Sequence, residues 1–146
     1  MKGRILVIDD DPDIREGISE ILRNSGYEVD AVETATEAIK KSEENAYHIA
    51  FIDIVLPDMN GIEVLKKLKD RIPKTRKVII TGYATLENAV EALNLGANAY
   101  LIKPVKPEDI IKITEKMMKE IEEEITMTQE KIIKFIETRV KMLEEK

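Results

Sequence analysis

RILVIDDDPDIR, residues 4–15, decides the fold of this chain. Its apolar run, Ile5 to Ile8, leads straight into three aspartates, Asp9, Asp10 and Asp11. A short continuous apolar run suits a strand covered on both faces, as in a parallel sheet. Three adjacent carboxylates repel one another and raise the cost of folding unless positive charge is held among them. The stretch therefore reads as a buried strand whose carboxyl end gathers charge for a purpose.

Working outward, Asp11 is placed to cap a following helix, with Pro12 at its first position and Gly26 closing it. YEVDAV (27–32) is a second strand, more alternating and so nearer an edge. Thr34 and Glu37 have capping-box spacing for a second helix. HIAFIDIV (48–55) is a third, mostly apolar strand, and PDMNG (57–61) a turn-rich loop. IEVLKKLKDRI (62–72) follows as an amphipathic helix and KVIIT (77–81) as a fourth strand. LENAVEALNL (86–95) is a fourth helix stopped by Gly96, AYLI (99–102) a fifth strand, and KPVKP (103–107) a break before the last helix. Strands alternating with helices in this way predict an α/β fold, a doubly wound five-stranded parallel sheet.

The chain has 146 residues, 43% hydrophobic and 36% charged, which suits one domain with its surplus charge on exposed helix faces. A net charge of −6 argues against nucleic-acid binding through an overall basic surface. With no cysteine, disulfides and thiolate metal sites are excluded, and a single histidine speaks against a zinc site. No apolar stretch is long enough to span a bilayer and no signal peptide precedes the first strand, so the expectation is a soluble, cytoplasmic protein without membrane partners.

Ligands of such sheets bind outside the carboxyl ends of the strands, where the strand order reverses. Those ends carry Asp9, Asp10 and Asp11 on the first strand, Asp53 on the third, Thr81 on the fourth and Lys103 after the fifth. Clustered carboxylates without His or Cys suit a hard, oxygen-seeking cation, Mg²⁺ before others. Mg²⁺ accepts a phosphate oxygen as a ligand, and a hydroxyl with an ammonium can hold the remaining phosphoryl oxygens. A carboxylate beside such a site can act as a nucleophile towards phosphorus. Asp11 is read as the helix cap and not a ligand. His48 and the pair Met117 and Met118 are assigned no chemistry, the methionines being helix packing.

VIDDD (7–11), FIDIVLPDMNG (51–61), VIITGYA (78–84) and GANAYLIKPV (96–105), in this order on a strand–helix frame, make residues 3–122 resemble the receiver domain of bacterial two-component response regulators. The resemblance implies a flavodoxin-like sheet of order 2-1-3-4-5. It implies Asp53 as the phosphoacceptor, taking a phosphoryl group from a sensor histidine kinase or phosphotransfer protein. Asp10 matches the direct ligand of Mg²⁺, Asp9 the acid that holds it through water, and the backbone carbonyl of Val55 its third protein ligand. Thr81 and Lys103 match the groups that close on the phosphoryl oxygens. Tyr100 matches the aromatic switch that turns inward as Thr81 moves, and Pro104 follows Lys103 in a step that is often cis. Val55 and Tyr83 stand where the family tunes phosphoryl lifetime. The face of the fourth helix, fifth strand and fifth helix is the implied readout. Such a domain catalyses only its own phosphoryl transfer and dephosphorylation.

Two other readings stay open: a Mg²⁺-dependent phosphatase of another aspartate-nucleophile family, and a receiver used only as a dimerisation scaffold. Asp9 and Asp11 have the D-x-D spacing of the first, but the chain leaves no room for a cap domain; the intact acceptor site argues against the second. Residues 1–124 are expected to form the receiver unit and 125–146 a helical extension. The extension is read as a coiled coil, as a helix packed against the body, or as a linker to an absent output domain. Ile121, Ile125, Ile132, Ile136, Val140 and Leu143 form an apolar stripe there, and TMTQ (126–129) has capping-box spacing, so one long helix or two is open. A homodimer is expected through this helix or through the readout face. With no recognition helix bearing a basic face, direct nucleic-acid binding is not expected.

Overall fold

The computed structural model describes residues 2–69, 71 and 73–145. Elements alternate as β1 (Arg4–Ile8), α1 (Pro12–Asn24), β2 (Glu28–Val32), α2 (Ala35–Glu44), β3 (Ile49–Ile52), α3 (Gly61–Lys67), β4 (Arg76–Thr81), α4 (Leu86–Asn94), β5 (Ala99–Ile102) and α5 (Pro107–Glu144). The strands make one sheet of order β2-β1-β3-β4-β5, all pairs parallel. The doubly wound fold read from the sequence is thus the fold observed.

Side chains alternate across the sheet and build two cores. Leu6, Ile8, Ala50, Ile52 and Ile79 face α2, α3 and α4, meeting Ala38, Ile62, Leu65 and Ala92. Ile5, Val7, Ile49, Phe51, Val78 and Ile80 face α1 and α5, meeting Ile18, Leu22, Ile110, Met117 and Ile121. Burial on both faces explains why β1 and β3 are continuous apolar runs. The edge strand β2 keeps only Val32 fully buried.

Local signals set most boundaries. The Asp11 side chain accepts the N–H groups of Asp13 and Ile14, and Pro12 opens α1. Gly26 and Gly96 take φ of 95° and 99°, left-handed values at which a side chain would be strained, just after α1 and α4. Thr34 caps α2 and Thr85 caps α4, each through its hydroxyl.

Three elements differ from the sequence reading or decide between its alternatives. Strand β3 ends at Ile52, short of residue 55, and Asp53 already lies in the loop that follows. Helix α3 ends at Lys67, short of residue 72: Leu68 turns extended (ψ 138°) and is buried in the core. The chain beyond is held by other partners, Lys69 N–H donating to Ser42 Oγ and the Arg71 guanidinium to the Ser42 and Glu43 carbonyls at the end of α2. Asp70 and Ile72, in the expected last turn, lie outside the described residues. Helix α5 is one helix of 38 residues, and the TMTQ spacing starts nothing. Its inward face is buried from Ile110 to Ile121, and from Ile125 to Glu145 every residue is exposed. Among the described residues no helix is long and apolar enough to cross a membrane.

Candidate functional site

The strand order delivers the site. Because β1 lies beside β3, their carboxyl ends set Asp9 and Asp53 next to each other, and Asp53 N–H still donates to the Ile8 carbonyl at 3.0 Å. On the other side of β3, β4 ends in Thr81, whose carbonyl accepts the Lys103 N–H at 2.9 Å after β5. The Lys103–Pro104 peptide is cis.

The side chains converge. Lys103 Nζ lies 2.9 Å from Asp9 Oδ2 and 2.9 Å from Asp53 Oδ2, donating to both. Asp9 is 2% and Asp53 6% exposed, whereas Asp10 faces solvent. One carboxylate oxygen from each of Asp9, Asp10 and Asp53 lies within 4.8 Å of the others. Burial pushes the Asp9 carboxyl above its usual range, and the neighbouring Asp53 charge adds to this, against hydrogen bonds from Lys103 and the Asp11 N–H. Burial alone would lower the Lys103 ammonium; its hydrogen bonds to Asp9 and Asp53 outweigh that and hold it above its ordinary value, protonated. One ammonium among three carboxylates leaves surplus negative charge, with oxygen donors only. That donor set fits Mg²⁺ and no thiophilic metal.

Three loops complete the site. Val55 N–H donates to Asp53 Oδ1 at 3.2 Å, and Tyr83 N–H to the buried Thr81 Oγ1 at 3.0 Å. Tyr83 itself is 70% exposed. Tyr100 packs against the core under α4, and its hydroxyl is buried without a hydrogen-bond partner, an exception among the described residues. Gly61 opens α3 hard against the end of β3: a Cβ there would stand 1.9 Å from the Asp53 carbonyl oxygen. Asp58, from the same loop, accepts the Ala35 and Thr36 N–H groups and the Thr36 hydroxyl, so it clasps the start of α2.

Asp9, Asp10, Asp53 and Lys103, picked out in the sequence, are therefore brought together, and Thr81 and Val55 sit on the elements that frame them. Asp11 is turned to the start of α1, as a cap. Gly61 and Asp58 were read only as turn residues. The position of Gly after PDMN was the one available signal, and the need for a missing Cβ appears only once β3 and α3 meet. Lys103 does more than its sequence reading gave it, since it already lies between two of the repelling acids.

Comparison with known proteins agrees with this geometry. A family model described as the response regulator receiver domain matches residues 5–115. The alginate biosynthesis transcriptional regulatory protein AlgB of Pseudomonas syringae is 31% identical over 118 residues, 81% of this chain and 26% of that protein. The transcriptional regulatory protein ZraR of Klebsiella oxytoca is 39% identical over 101 residues, 69% of this chain and 23% of that protein. A crystal structure of a CheY-like receiver domain protein from Methanospirillum hungatei, 43% identical, superposes with a TM-score of 0.81 over 85% of this chain and 99% of that one. The chain belongs to the response regulator receiver domain family, the phosphorylation-switched signalling modules of two-component systems. It spans about a quarter of the length of AlgB and ZraR, so transcriptional regulation is a property of those longer proteins.

Proposed function

We propose that Asp53 is the phosphoacceptor and that its donor is a phosphohistidine of a sensor kinase or phosphotransfer protein. The observation that carries this reading is the half-buried Lys103 ammonium 2.9 Å from both Asp9 and Asp53, with Asp10 alongside. An Asp53 carboxylate oxygen forms a bond to phosphorus as the phosphorus–nitrogen bond breaks, and the imidazole leaves with the electron pair and takes up a proton. Asp9, Asp10, Asp53 and the Val55 carbonyl would hold Mg²⁺, which supplies positive charge to the phosphoryl oxygens. Lys103 offers its ammonium to one of those oxygens and Thr81 its hydroxyl to another. The transfer is stoichiometric, not a turnover of external substrate.

The acyl phosphate carries about two negative charges where the carboxylate carried one, on a buried side chain. Thr81 closing on it draws the loop after β4, and Tyr100, whose hydroxyl lacks a partner, follows as the aromatic switch. The readout surface is the face of α4, β5 and α5, where Leu86, Val90, Leu93 and Ile102 are exposed. The unit that does this is residues 1–124, with 125–146 as an extension through which the chain self-associates. The reading carries a cytoplasmic location, typical of the family.

Incubation with Mg²⁺ and acetyl phosphate, followed by intact mass, tests the assignment. One added phosphoryl group is expected, absent in Asp53→Asn and absent without Mg²⁺. Addition that persists in Asp53→Asn overturns the acceptor assignment, and catalytic turnover of an added phosphate monoester overturns the receiver reading in favour of a phosphatase.

A further inference from the structure

From Ile125 onward α5 carries a wide apolar face that none of the other described residues covers. Ile132, Ile136, Val140 and Leu143 are 54%, 54%, 48% and 70% exposed. Written as heptads, Ile125, Ile132 and Arg139 fall at d, and Gln129, Ile136 and Leu143 at a. The positions flanking this seam, Thr126, Ile133 and Val140 at e and Thr128, Phe135 and Met142 at g, carry no charge. Apart from Arg139, the charged residues from 125 to 145 lie at b, c and f. There Glu130 precedes Lys134, and Glu137 precedes Lys141, by one helical turn, which stabilises the helix on its wet side. An exposed seam of this kind is built to meet another helix.

The order of residues within the seam selects the partner and its direction. Reversed about Lys134, the seam reproduces itself: Ile125 falls opposite Leu143, Ile132 opposite Ile136, and Gln129 opposite Arg139. Each of these layers joins an a to a d position, which is the layering of antiparallel helix pairs. In a parallel pair Arg139 would face its own copy, setting two guanidinium groups together in the seam at a cost in like-charge repulsion and desolvation. In the antiparallel pair each guanidinium meets the amide oxygen of Gln129 while keeping its stack on the Phe135 ring, 5.8 Å away on its own helix. The body leaves space for this arrangement. Beside Ile125, Thr128 and Gln129 a shallow groove opens against Pro73, at the level where residues 139–143 of the second helix would arrive.

We propose that residues 125–143 form an antiparallel helix pair with the same segment of a second copy of this chain. The proposal rests on self-association through the extension and adds its direction, its layers and its consequence. Eighteen residues of helix separate Ile125 from Leu143, about 27 Å at 1.5 Å per residue. The two receiver bodies therefore sit at opposite ends of the pair, and their α4–β5–α5 faces stay free for other contacts. The Gln129–Arg139 layers act as the polar pair that fixes register and orientation.

The chain lacks cysteine, which makes a direct test clean. Light scattering on the full chain reads association, and two single-cysteine variants, I125C and L143C, read direction under mild oxidation. A dimer is expected, with cross-linking strong when the two variants are mixed and weak for either alone. Strong cross-linking of each variant alone, with a dimer still present, means a parallel pair and overturns the direction while leaving self-association standing. A monomer at all concentrations overturns both. The I136D variant is expected to dissociate the dimer while leaving the circular dichroism of the body and the phosphoryl labelling unchanged. Arg139→Leu is expected to relax the direction, raising the self cross-linking of I125C several-fold.

Discussion

The carboxyl edge of the sheet and the far half of α5 break the rule of apolar inside and charged outside in opposite ways. At the sheet edge, Asp9 and Asp53 are buried with their charges only partly balanced by Lys103. On α5, aliphatic side chains from Ile125 to Leu143 stand in water. Neither region is explained by the stability of the lone chain, since each costs free energy there. On the readings proposed above, each becomes favourable when something arrives: cation and phosphoryl group at the first, a second helix at the second. Departures from local folding logic mark where a protein meets its partners.

The largest effect expected on the first region comes from removing its internal cation. Lys103→Met leaves two buried carboxylates facing each other, and without Mg²⁺ the fold should lose about 3–5 kcal/mol, the range for breaking a buried ion pair. Mg²⁺ should then raise the unfolding temperature of the variant more than that of the wild type. An equal response in the two would mean that Lys103 and the cation do not share the same negative field. Gly61→Ala comes next. Its Cβ, 1.9 Å from the Asp53 carbonyl oxygen, would run into the backbone of Asp53 and Ile54, so α3 or the end of β3 must shift. Overpacking of this kind costs about 1–3 kcal/mol. Because the atom displaced belongs to Asp53, phosphoryl labelling should slow as well. Normal labelling of a destabilised variant would confine Gly61 to a packing role.

A smaller effect is expected at Asp58. Hydrogen bonds from the Thr36 hydroxyl and from the Thr36 and Ala35 N–H groups hold its carboxyl low, at about 2 against an ordinary 3.8. A depressed carboxyl contributes stability that is present above the ordinary value and is lost as pH falls towards the folded one. Wild type should therefore lose stability between about pH 4 and about pH 2 that Asp58→Asn does not lose, and urea unfolding across that window reads the difference. Parallel curves for the two proteins would remove the clasp on α2 from the acid response.

How far the sequence could be read follows the same division. β5 falls on AYLI and α1 opens at Asp11 and Pro12 because caps, prolines and short apolar runs act locally. The end of α3 was not legible, since Leu68 leaves the helix to fill the core and the next residues bond to α2 across the fold. The site acids were legible as residues at strand ends. Their gathering with Lys103 at one edge of the sheet was legible too, but its direct contact with two of them, across 94 and 50 positions, is a product of topology and was not. For the extension, the apolar stripe was plain, but whether it broke at TMTQ was not. Good helix formers on either side, with Glu130 and Lys134 one turn apart just beyond, continue the helix past the two threonines.

The smallest expected effect sharpens the comparison most. If the far half of α5 serves only association, deleting it should leave the body as it was. A chain ending at Glu130 keeps more than one turn beyond Glu124, so fraying at the new end does not reach the 2.6 Å ion pair of Arg76 with Glu124, where α5 leaves the body. At dilute concentration its unfolding free energy should match the full chain within about 0.5 kcal/mol, the scale of changes at exposed positions. Raising the concentration should stabilise the full chain by mass action and leave the shortened one unmoved. A loss of several kcal/mol at every concentration would mean that the exposed stripe packs on its own body, and the contrast between the two regions would fail.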